Sequence, residues 1–349
     1  MRPPLRAAAS TLALLPCAAW SHAAWAEAPR VVADIAPVHS LVARVMEGVG
    51  EPALLVEPGV SEHDHALRPS EARALEGAEV VVWMGPGLTP WLEGAIDALA
   101  GEAEVVSLME AEGTRTLPTR DDPLFEAHEH EHGDGHGHGD GHGHDEAQGG
   151  HDHDDGHGDD HAAGHDHAHE AEAADGHGHD HGAVDAHAWL DPRNAGAWLG
   201  AIAETLAEAD PENAEGYRAN AEAGRAEMAA LEAEIGATLE PFRGTAYLVF
   251  HDAYQYFETR FDVPAQGALA IGDASDPGPA RLAAIRDAVA ERGVACAFAE
   301  PQYDAGLIEA VAGEVRTAVI DPLGAGLEPG PELYPALLRG VAGSMLGCL

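Results

Sequence analysis

Short apolar runs alternate with amphipathic stretches along most of the chain, a pattern typical of parallel α/β folds. Helical patterns lie between the apolar runs, and several of them open with a proline that suits the first turn of a helix. The predicted strands are Val31–Ile35, Leu54–Val56, Val80–Met84, Val105–Leu108, Tyr247–Phe250, Pro264–Ile271, Ala295–Ala299 and Thr317–Ile320. The predicted helices are Pro37–Glu47, Pro69–Leu75, Pro90–Leu99, Pro279–Glu291, Ala305–Ala312 and Pro331–Met345. Each half of the chain is therefore predicted to form a βα sandwich.

A stretch rich in Ala, Glu and Arg joins the two halves, from Pro192 to Glu240. Its apolar positions recur at helical spacing, with a break near Asp210-Pro211. The pattern predicts a helix, a short turn and a long helix from about Pro211 to Leu239, which at ~1.5 Å per residue would span ~44 Å. A coiled-coil dimer is the alternative, but the apolar face is short and interrupted by glycine. We therefore expect an intramolecular strut between two domains.

The composition changes abruptly near Asp121 and changes back near Asp185. Between His128 and His181 lie 17 of the 23 histidines, interleaved with Gly, Asp and Glu. Such a segment cannot bury enough apolar surface to offset its ordering entropy, so we expect a disordered insert when no metal is bound. It is either a solvated acidic linker or a set of weak auxiliary metal sites, with candidates at His136, His138, His151, His153, His165, His167, His177 and His179.

The first 26 residues are predicted to be a secretory signal peptide. Arg2 and Arg6 precede a short apolar stretch, and Ala24-Trp25-Ala26 offers a small-residue cleavage site. A membrane anchor would need ~20 apolar residues, and a lipid anchor on Cys17 is disfavoured by the bulky Pro16. We expect a periplasmic protein divided into an N-terminal βα domain (27–120), the insert (121–184), the end of that domain with the linker helix (185–241) and a C-terminal βα domain (242–349).

Two of the three cysteines, Cys296 and Cys348, follow the predicted signal peptide. An even pair in an oxidising compartment indicates one disulfide, whose loop closure would stabilise the fold by roughly 4 kcal/mol. A two-thiolate metal site is the competing interpretation. The formal net charge of −43 excludes nucleic acid as a partner, because phosphate binding needs basic patches.

Outside the signal and the insert the histidines are His39, His63, His65, His187 and His251. His63 lies in an acidic segment after the second predicted strand, and His251 directly follows the run Tyr247–Phe250. Ligands of open α/β sheets gather beyond the carboxyl ends of strands, and Asp321 also ends a predicted strand. His39 begins a predicted helix without acidic neighbours, so we interpret it as non-ligating.

Several motifs resemble those of the cluster A-I metal-binding proteins of ABC importers, particularly their zinc-binding members. They occur in the expected order from about Val31 to the C-terminus: Glu62-His63-Asp64-His65-Ala66-Leu67-Arg68-Pro69-Ser70, Val81-Val82-Trp83-Met84-Gly85-Pro86-Gly87, His187-Ala188-Trp189-Leu190-Asp191-Pro192, Phe250-His251-Asp252-Ala253-Tyr254, Glu300-Pro301-Gln302-Tyr303 and Asp321-Pro322-Leu323-Gly324. The resemblance implies two βα domains joined by a long helix, with metal in the cleft between them. It also implies an ABC permease and its ATPase as partners of a monomer.

The family's ligand positions match His63, His187 and His251, and the resemblance implies an oxygen ligand from Glu62 or Asp321. Cys296 and Cys348 match the family's disulfide positions. His65 departs from the family pattern, which has tyrosine there, so its contribution to the site stays open. Glu300 would orient a ligand histidine, although a solvated carboxylate is the alternative.

Three imidazoles and a carboxylate satisfy four-coordinate zinc. Manganese relatives, as the resemblance implies, replace the third histidine with glutamate, so His251 favours Zn²⁺. Because ligand histidines must be deprotonated, zinc affinity should fall steeply below about pH 6.

Three functions fit a three-histidine site. The first is capture of zinc for an importer. The second is a zinc hydrolase, disfavoured because no helical His-Glu-x-x-His arrangement is present and Asp321 would close the fourth position. The third is a metal buffer or adhesin, against which a growth defect limited to zinc starvation would argue. We expect the first function and no enzymatic activity.

Overall fold

The computed structural model describes residues 28–63, 65–120, 184–270, 278–303 and 305–349. Within these ranges the strands are β1 (Val31–Ala33), β2 (Ala53–Leu54), β3 (Val80–Trp83), β4 (Glu104–Ser107), β5 (Tyr247–His251), β6 (Ala268–Ala270), β7 (Cys296–Ala299) and β8 (Arg316–Val319). The helices are α1 (Ala36–Val45), α2 (Pro69–Glu76), α3 (Pro90–Leu99), α4 (Pro192–Ala209), α5 (Ala214–Thr238), α6 (Gln255–Phe261), α7 (Pro279–Arg292), α8 (Ala305–Ala312) and α9 (Leu333–Gly347). The predicted signal peptide and nearly all of the predicted insert lie outside the described residues.

The strands form two parallel sheets with the same order of strands. The first sheet has the order β2-β1-β3-β4 and the second β6-β5-β7-β8. In the first sheet β1 lies between β2 and β3, and in the second sheet β5 lies between β6 and β7. Helices cross over between consecutive strands. The α/β fold class predicted from the sequence is confirmed.

The central strands of each sheet, β1 and β3 in the first and β5 and β7 in the second, are buried on both faces, as expected of parallel strands. Along β3, Val80 and Val82 belong to the large central core, whereas Val81 and Trp83 belong to a smaller core beneath α2 and α3. Along β5, Val249 faces the central core and Leu248 the core beneath α7 and α8. This double coverage explains why the central strands are continuous apolar runs in the sequence.

The central core is continuous between the two halves. It contains apolar side chains from both sheets and from α1, α4, α5 and α9. The fully buried Trp189 donates from its indole nitrogen to the carbonyl of Pro322 at 2.8 Å, and the Tyr334 hydroxyl donates to the carbonyl of Trp189 at 2.6 Å. The halves are therefore packed against each other through buried side chains.

Helices α4 and α5 form the connection between the halves. The break predicted near Asp210 is a turn in which Asn213 and the hydroxyl of Tyr217 both donate to the Asp210 carboxylate, at 2.7 and 2.9 Å. Because these residues form the turn, α5 begins at Ala214 and not at Pro211. Its 25 residues span about 37 Å, and it contacts α4, α1 and α9, as expected of a strut. No helix in the described ranges is long and apolar enough to cross a membrane.

Helix α6 is not predicted by the sequence pattern. Tyr256, Phe257, Glu258 and Phe261 are all buried. The helix has only 7 residues, which is shorter than the window of about 11–18 residues over which a helical period can be recognised, so the sequence pattern does not reveal it.

Candidate metal centre

The structure brings together the three histidines that the sequence singles out. His63 follows β2 in a loop, His187 directly precedes a short 3₁₀ helix over Ala188–Leu190, and His251 is the last residue of β5. Each offers one ring nitrogen, and these three atoms lie within 4.8 Å of one another. The ring centroids are 5.3 to 6.4 Å apart. Three segments that are distant in sequence therefore converge on one point between the two sheets.

Carboxylates orient two of these imidazoles. Asp185 Oδ1 lies 2.8 Å from His187 Nδ1 and also accepts the backbone N–H of His187 at 2.9 Å. Glu300 Oε1 lies 2.8 Å from His251 Nδ1, which is the contact expected for Glu300. With the proton on Nδ1, each ring presents the lone pair of Nε2 to the centre. His187 Nε2 has no hydrogen-bond partner in the described part of the chain.

The protonation of the imidazoles differs with their surroundings. Burial, followed by the neighbouring His187 and His251, lowers the pKa of His63 to about 2. Burial also lowers the pKa of His251, but the charge and hydrogen bond of Glu300 outweigh it, so the pKa is raised above its ordinary value. His63 is therefore neutral at physiological pH and ready to ligate a cation.

Glu62 is the carboxylate beside this group. Its side chain is only 4% exposed, and its Oε1 lies 3.7 Å from His63 Nε2. Burial raises the pKa of Glu62 to about 7, although the charge of His187 opposes the rise. A cation at the three imidazoles would favour the ionised form of this carboxyl group.

Asp321 has a different set of contacts. Its Oδ1 accepts the backbone N–H groups of Leu323 and Gly324 at 3.1 and 2.8 Å, which shapes the turn after β8. Neither Asp321 nor Glu62 belongs to the group whose atoms lie within 4.8 Å. The oxygen ligand predicted from the sequence therefore stays a prediction for both residues.

His65 packs beside the site with its own partners. Its Nε2 lies 2.8 Å from Glu71 Oε2, its ring contacts that of Trp91 at 5.2 Å, and it is buried. Glu71 also accepts the backbone N–H of Arg68 at the start of α2. His65 thus links the loop that carries His63 to α2 and does not join the three clustered histidines.

The remaining candidates are the cysteines and the insert histidines. Cys296 and Cys348 form a disulfide with Cα atoms 6.1 Å apart, which ties the C-terminal end of the chain to β7. The auxiliary candidates His136, His138, His151, His153, His165, His167, His177 and His179 lie outside the described residues.

The sequence patterns do not reveal the roles of Asp185, Arg120 or Asp34. Asp185 could have been found, since it lies two residues before His187 in the same motif. Arg120 could not, because its partners Asp252 and Glu258 belong to the other half of the chain. Asp34 is fully buried after β1 and accepts the backbone N–H groups of Ile35 and Met84.

Comparison with known proteins gives a consistent result. The model of a family described as zinc-uptake complex component A, periplasmic (ZnuA), matches residues 31–348. The high-affinity zinc uptake system protein ZnuA of Brucella abortus is 44% identical over 323 residues, covering 91% of each chain. The protein of the same name from Paracoccus denitrificans is 45% identical over 327 residues, covering 93% of each chain. A crystal structure of ZnuA superposes with a TM-score of 0.66 at 20% identity, covering 91% of this chain and 99% of that one.

Proposed function

The chain belongs to the family of the periplasmic component A of zinc-uptake complexes, and on this premise we propose that His63, His187 and His251 bind the Zn²⁺ that it captures. Membership makes the chain a periplasmic zinc-binding component of an ABC importer. The family consists of solute-binding proteins, which decides against the zinc hydrolase considered from the sequence.

One observation carries the proposed ligand set: the three imidazole nitrogens lie within 4.8 Å of one another. Nitrogens bound to tetrahedral zinc are ~3.3 Å apart, given Zn–N bonds of ~2.0–2.1 Å. Small movements of side chains bring the three rings to that spacing. Three imidazoles are a donor set that suits Zn²⁺ better than the oxygen-rich set favoured by Mn²⁺.

We infer that a carboxylate completes the coordination, and two are candidates. Glu62 is supported by its burial and by the 3.7 Å between its Oε1 and His63 Nε2. Asp321 is supported by its place at the carboxyl end of β8 and by the family resemblance. The variants Glu62→Gln and Asp321→Asn distinguish the two candidates. Only replacement of the residue that coordinates zinc should lower zinc affinity by more than about tenfold.

The walls of the site restrict water and support the charge of the bound cation. The Trp189 ring lies 5.3 Å from that of His187, and the Tyr303 ring lies 5.7 Å from that of His251. Asp185 and Glu300 accept hydrogen bonds from the ligand rings, which raises the basicity of the ligating nitrogens. Zinc capture in this arrangement needs no chemical step.

The family works with an ABC permease and its ATPase. We propose that this chain docks on its permease as a monomer and releases zinc there. We further propose the division into an N-terminal domain (27–120 with the end of that domain and the linker helix at 185–241) and a C-terminal domain (242–349), supported by the two separate sheets. The decline of zinc affinity below about pH 6 stays a prediction.

A competitive metal titration tests the ligand set. His187→Ala should lower the zinc affinity of the tight site by more than about 100-fold. Replacing even a residue that hydrogen-bonds a ligand histidine lowers metal affinity about 10–100-fold. His251→Glu should weaken zinc and favour manganese relative to the unchanged protein. The control is His39→Gln, because His39 is a buried histidine whose Nε2 contacts the carbonyl of Pro52. Unchanged zinc affinity in His187→Ala would refute the proposed ligand set.

A further inference from the structure

Two short segments, residues 117–120 and 184–187, lie side by side next to the metal centre, and we name them together the stem. Pro118 pairs with Val184 in an antiparallel bridge, and Asp185 donates its backbone N–H to the carbonyl of Leu117 at 2.9 Å. The second segment ends in His187, one of the proposed ligands. The stem therefore leads directly into the site.

A tyrosine of α6 fastens both segments of the stem. The hydroxyl of Tyr256 accepts the backbone N–H of Leu117 at 2.9 Å and donates to the carbonyl of Asp185 at 2.7 Å. Tyr256 is fully buried. A single phenol from the C-terminal half thus satisfies one backbone group on each segment, and the carboxylate of the same Asp185 orients His187.

Arg120, at the end of the first segment, makes a second attachment. Its Nη2 lies 3.0 Å from Asp252 Oδ1 and 2.8 Å from Glu258 Oε2. The side chains are 13%, 14% and 3% exposed, respectively, so this is a shielded charge cluster and not a surface ion pair. Asp252 directly follows His251, and Glu258 lies on α6, two residues after Tyr256.

The two attachments act on two proposed ligands at once. His187 belongs to the stem and is oriented within it by Asp185, whose carbonyl accepts from Tyr256. His251 is tied to the stem through the neighbouring Asp252 and Arg120. We propose that Arg120 is a positioning residue of the zinc site, which holds the stem against α6 and thereby slows the release of Zn²⁺. The inference rests on the proposed ligand set.

Two other roles for Arg120 make different predictions. A guanidinium near the centre repels a dication, so if charge alone mattered, its removal would tighten zinc binding and slow release. If Arg120 only neutralises buried carboxylates, its removal would destabilise the fold and leave the release rate unchanged. Positioning predicts faster release, so the sign of the change separates the three roles.

The test measures zinc release from the full exported chain, loaded with one equivalent of Zn²⁺, into an excess of chelator. Arg120→Gln should accelerate release about tenfold, the lower end of the effect of removing a partner of a metal ligand, and should change the association rate less than about twofold. Arg120→Lys should release zinc more slowly than Arg120→Gln but faster than the unchanged protein. Its ammonium group keeps the positive charge but lacks the planar guanidinium that reaches both carboxylates. Tyr256→Phe removes the hydroxyl that fastens both segments of the stem, so it should accelerate zinc release independently of Arg120.

Arg339→Gln is the matched control, since Arg339 pairs with Glu234 on the surface and both side chains are about half exposed. Its release rate should equal that of the unchanged protein. Unchanged or slower release in Arg120→Gln would overturn the inference. If Arg120→Gln does not fold, the zinc release rate of Tyr256→Phe tests whether attachment of the stem slows release. An unchanged rate in that variant would overturn the inference. Failure of the unchanged protein to retain one zinc would instead contradict the proposed ligand set.

Discussion

Each proposed ligand histidine has a carboxylate of its own. Glu62 precedes His63, Asp185 lies two residues before His187, and Glu300 reaches His251 from 49 residues away. The first two pairs are local and the third exists only because β5 and β7 are neighbours in the sheet. Individual carboxylates therefore support the proposed metal site through specific contacts with single histidines.

Replacing Glu300 tests the orienting contact to His251. Glu300→Gln keeps an acceptor for His251 Nδ1 but removes the charge, so zinc affinity should fall about tenfold to 100-fold. Competition with a chelator at pH 7.5 measures the change. Glu234→Gln, the same substitution in a surface ion pair, serves as the control and should bind zinc like the unchanged protein. Equal affinity in all three proteins would contradict an orienting role for Glu300.

Replacing Asp34 tests the cost of a buried carboxylate. Burial raises the pKa of Asp34 from 3.8 to about 7, and the hydrogen bonds from Met84 and Ile35 oppose the rise only in part. Because the pKa is higher in the folded state, the unfolded chain loses the Asp34 proton first as the pH rises, which lowers the free energy of unfolding progressively between about pH 4 and pH 7. Asp34→Asn removes the ionisation, so its stability relative to the unchanged protein should improve by about 2–3 kcal/mol from pH 5 to pH 8.

Denaturant unfolding of the metal-free proteins at both pH values measures this difference. The comparison isolates Asp34, because all other titrating groups are common to the two proteins. A difference in stability that is the same at pH 5 and pH 8 would show that Asp34 does not titrate in this range.

At the scale of elements, close packing of helices determines how the halves are joined. Helices α4 and α5 pack against each other, and Gly224 lies at their contact: a Cβ there would be 2.9 Å from Leu199 Cδ1 and 3.3 Å from Arg44 Cγ. Leu199 is fully buried, which limits its freedom to move away. Gly216 lies in the same helix, and a Cβ there meets nothing within 4 Å.

Alanine at these two glycines should have opposite effects on stability. Gly216→Ala should raise the free energy of unfolding by about 0.5–1 kcal/mol, because alanine loses less backbone entropy in a helix. Gly224→Ala has the same entropic advantage, but its methyl group is overpacked against Leu199. This variant should therefore be at least about 1 kcal/mol less stable than Gly216→Ala. Denaturant unfolding at one pH compares them, and equal stabilisation by both would show that α4 and α5 tolerate a wider separation.

At the scale of the whole molecule, the core that runs through both halves holds the three histidines in place. The hydrogen bonds of Trp189 with Pro322 and Tyr334 cross between the halves and are buried. The stem adds a second connection beside the site. The proposed ligands are thus supported by the folded halves and by residues 117–120 and 184–187. We predict that this support suffices for the tight site without the histidines of the predicted insert.

Deletion of residues Glu126–Gly182 tests this separation. The deletion keeps the stem and removes 17 histidines, so it should lower the number of weakly bound zinc ions and leave one tight site with its affinity changed less than about threefold. Calorimetric titration with Zn²⁺ measures both quantities. Loss of the tight site would show that the deleted residues contribute directly to it.

The sequence by itself determined the α/β class, the approximate strands, most helices and the three histidines, because each leaves a local mark: apolar runs for buried strands, proline at helix starts, and polar motifs at strand ends. Tertiary structure alone decided the rest. Helix α6 has only 7 residues, too few to show a helical period. The contacts of Tyr256 with Leu117 and of His251 with Glu300 join residues 139 and 49 apart. Such pairs depend on which surfaces pack together, and that choice is made by the shared core rather than by neighbours along the chain.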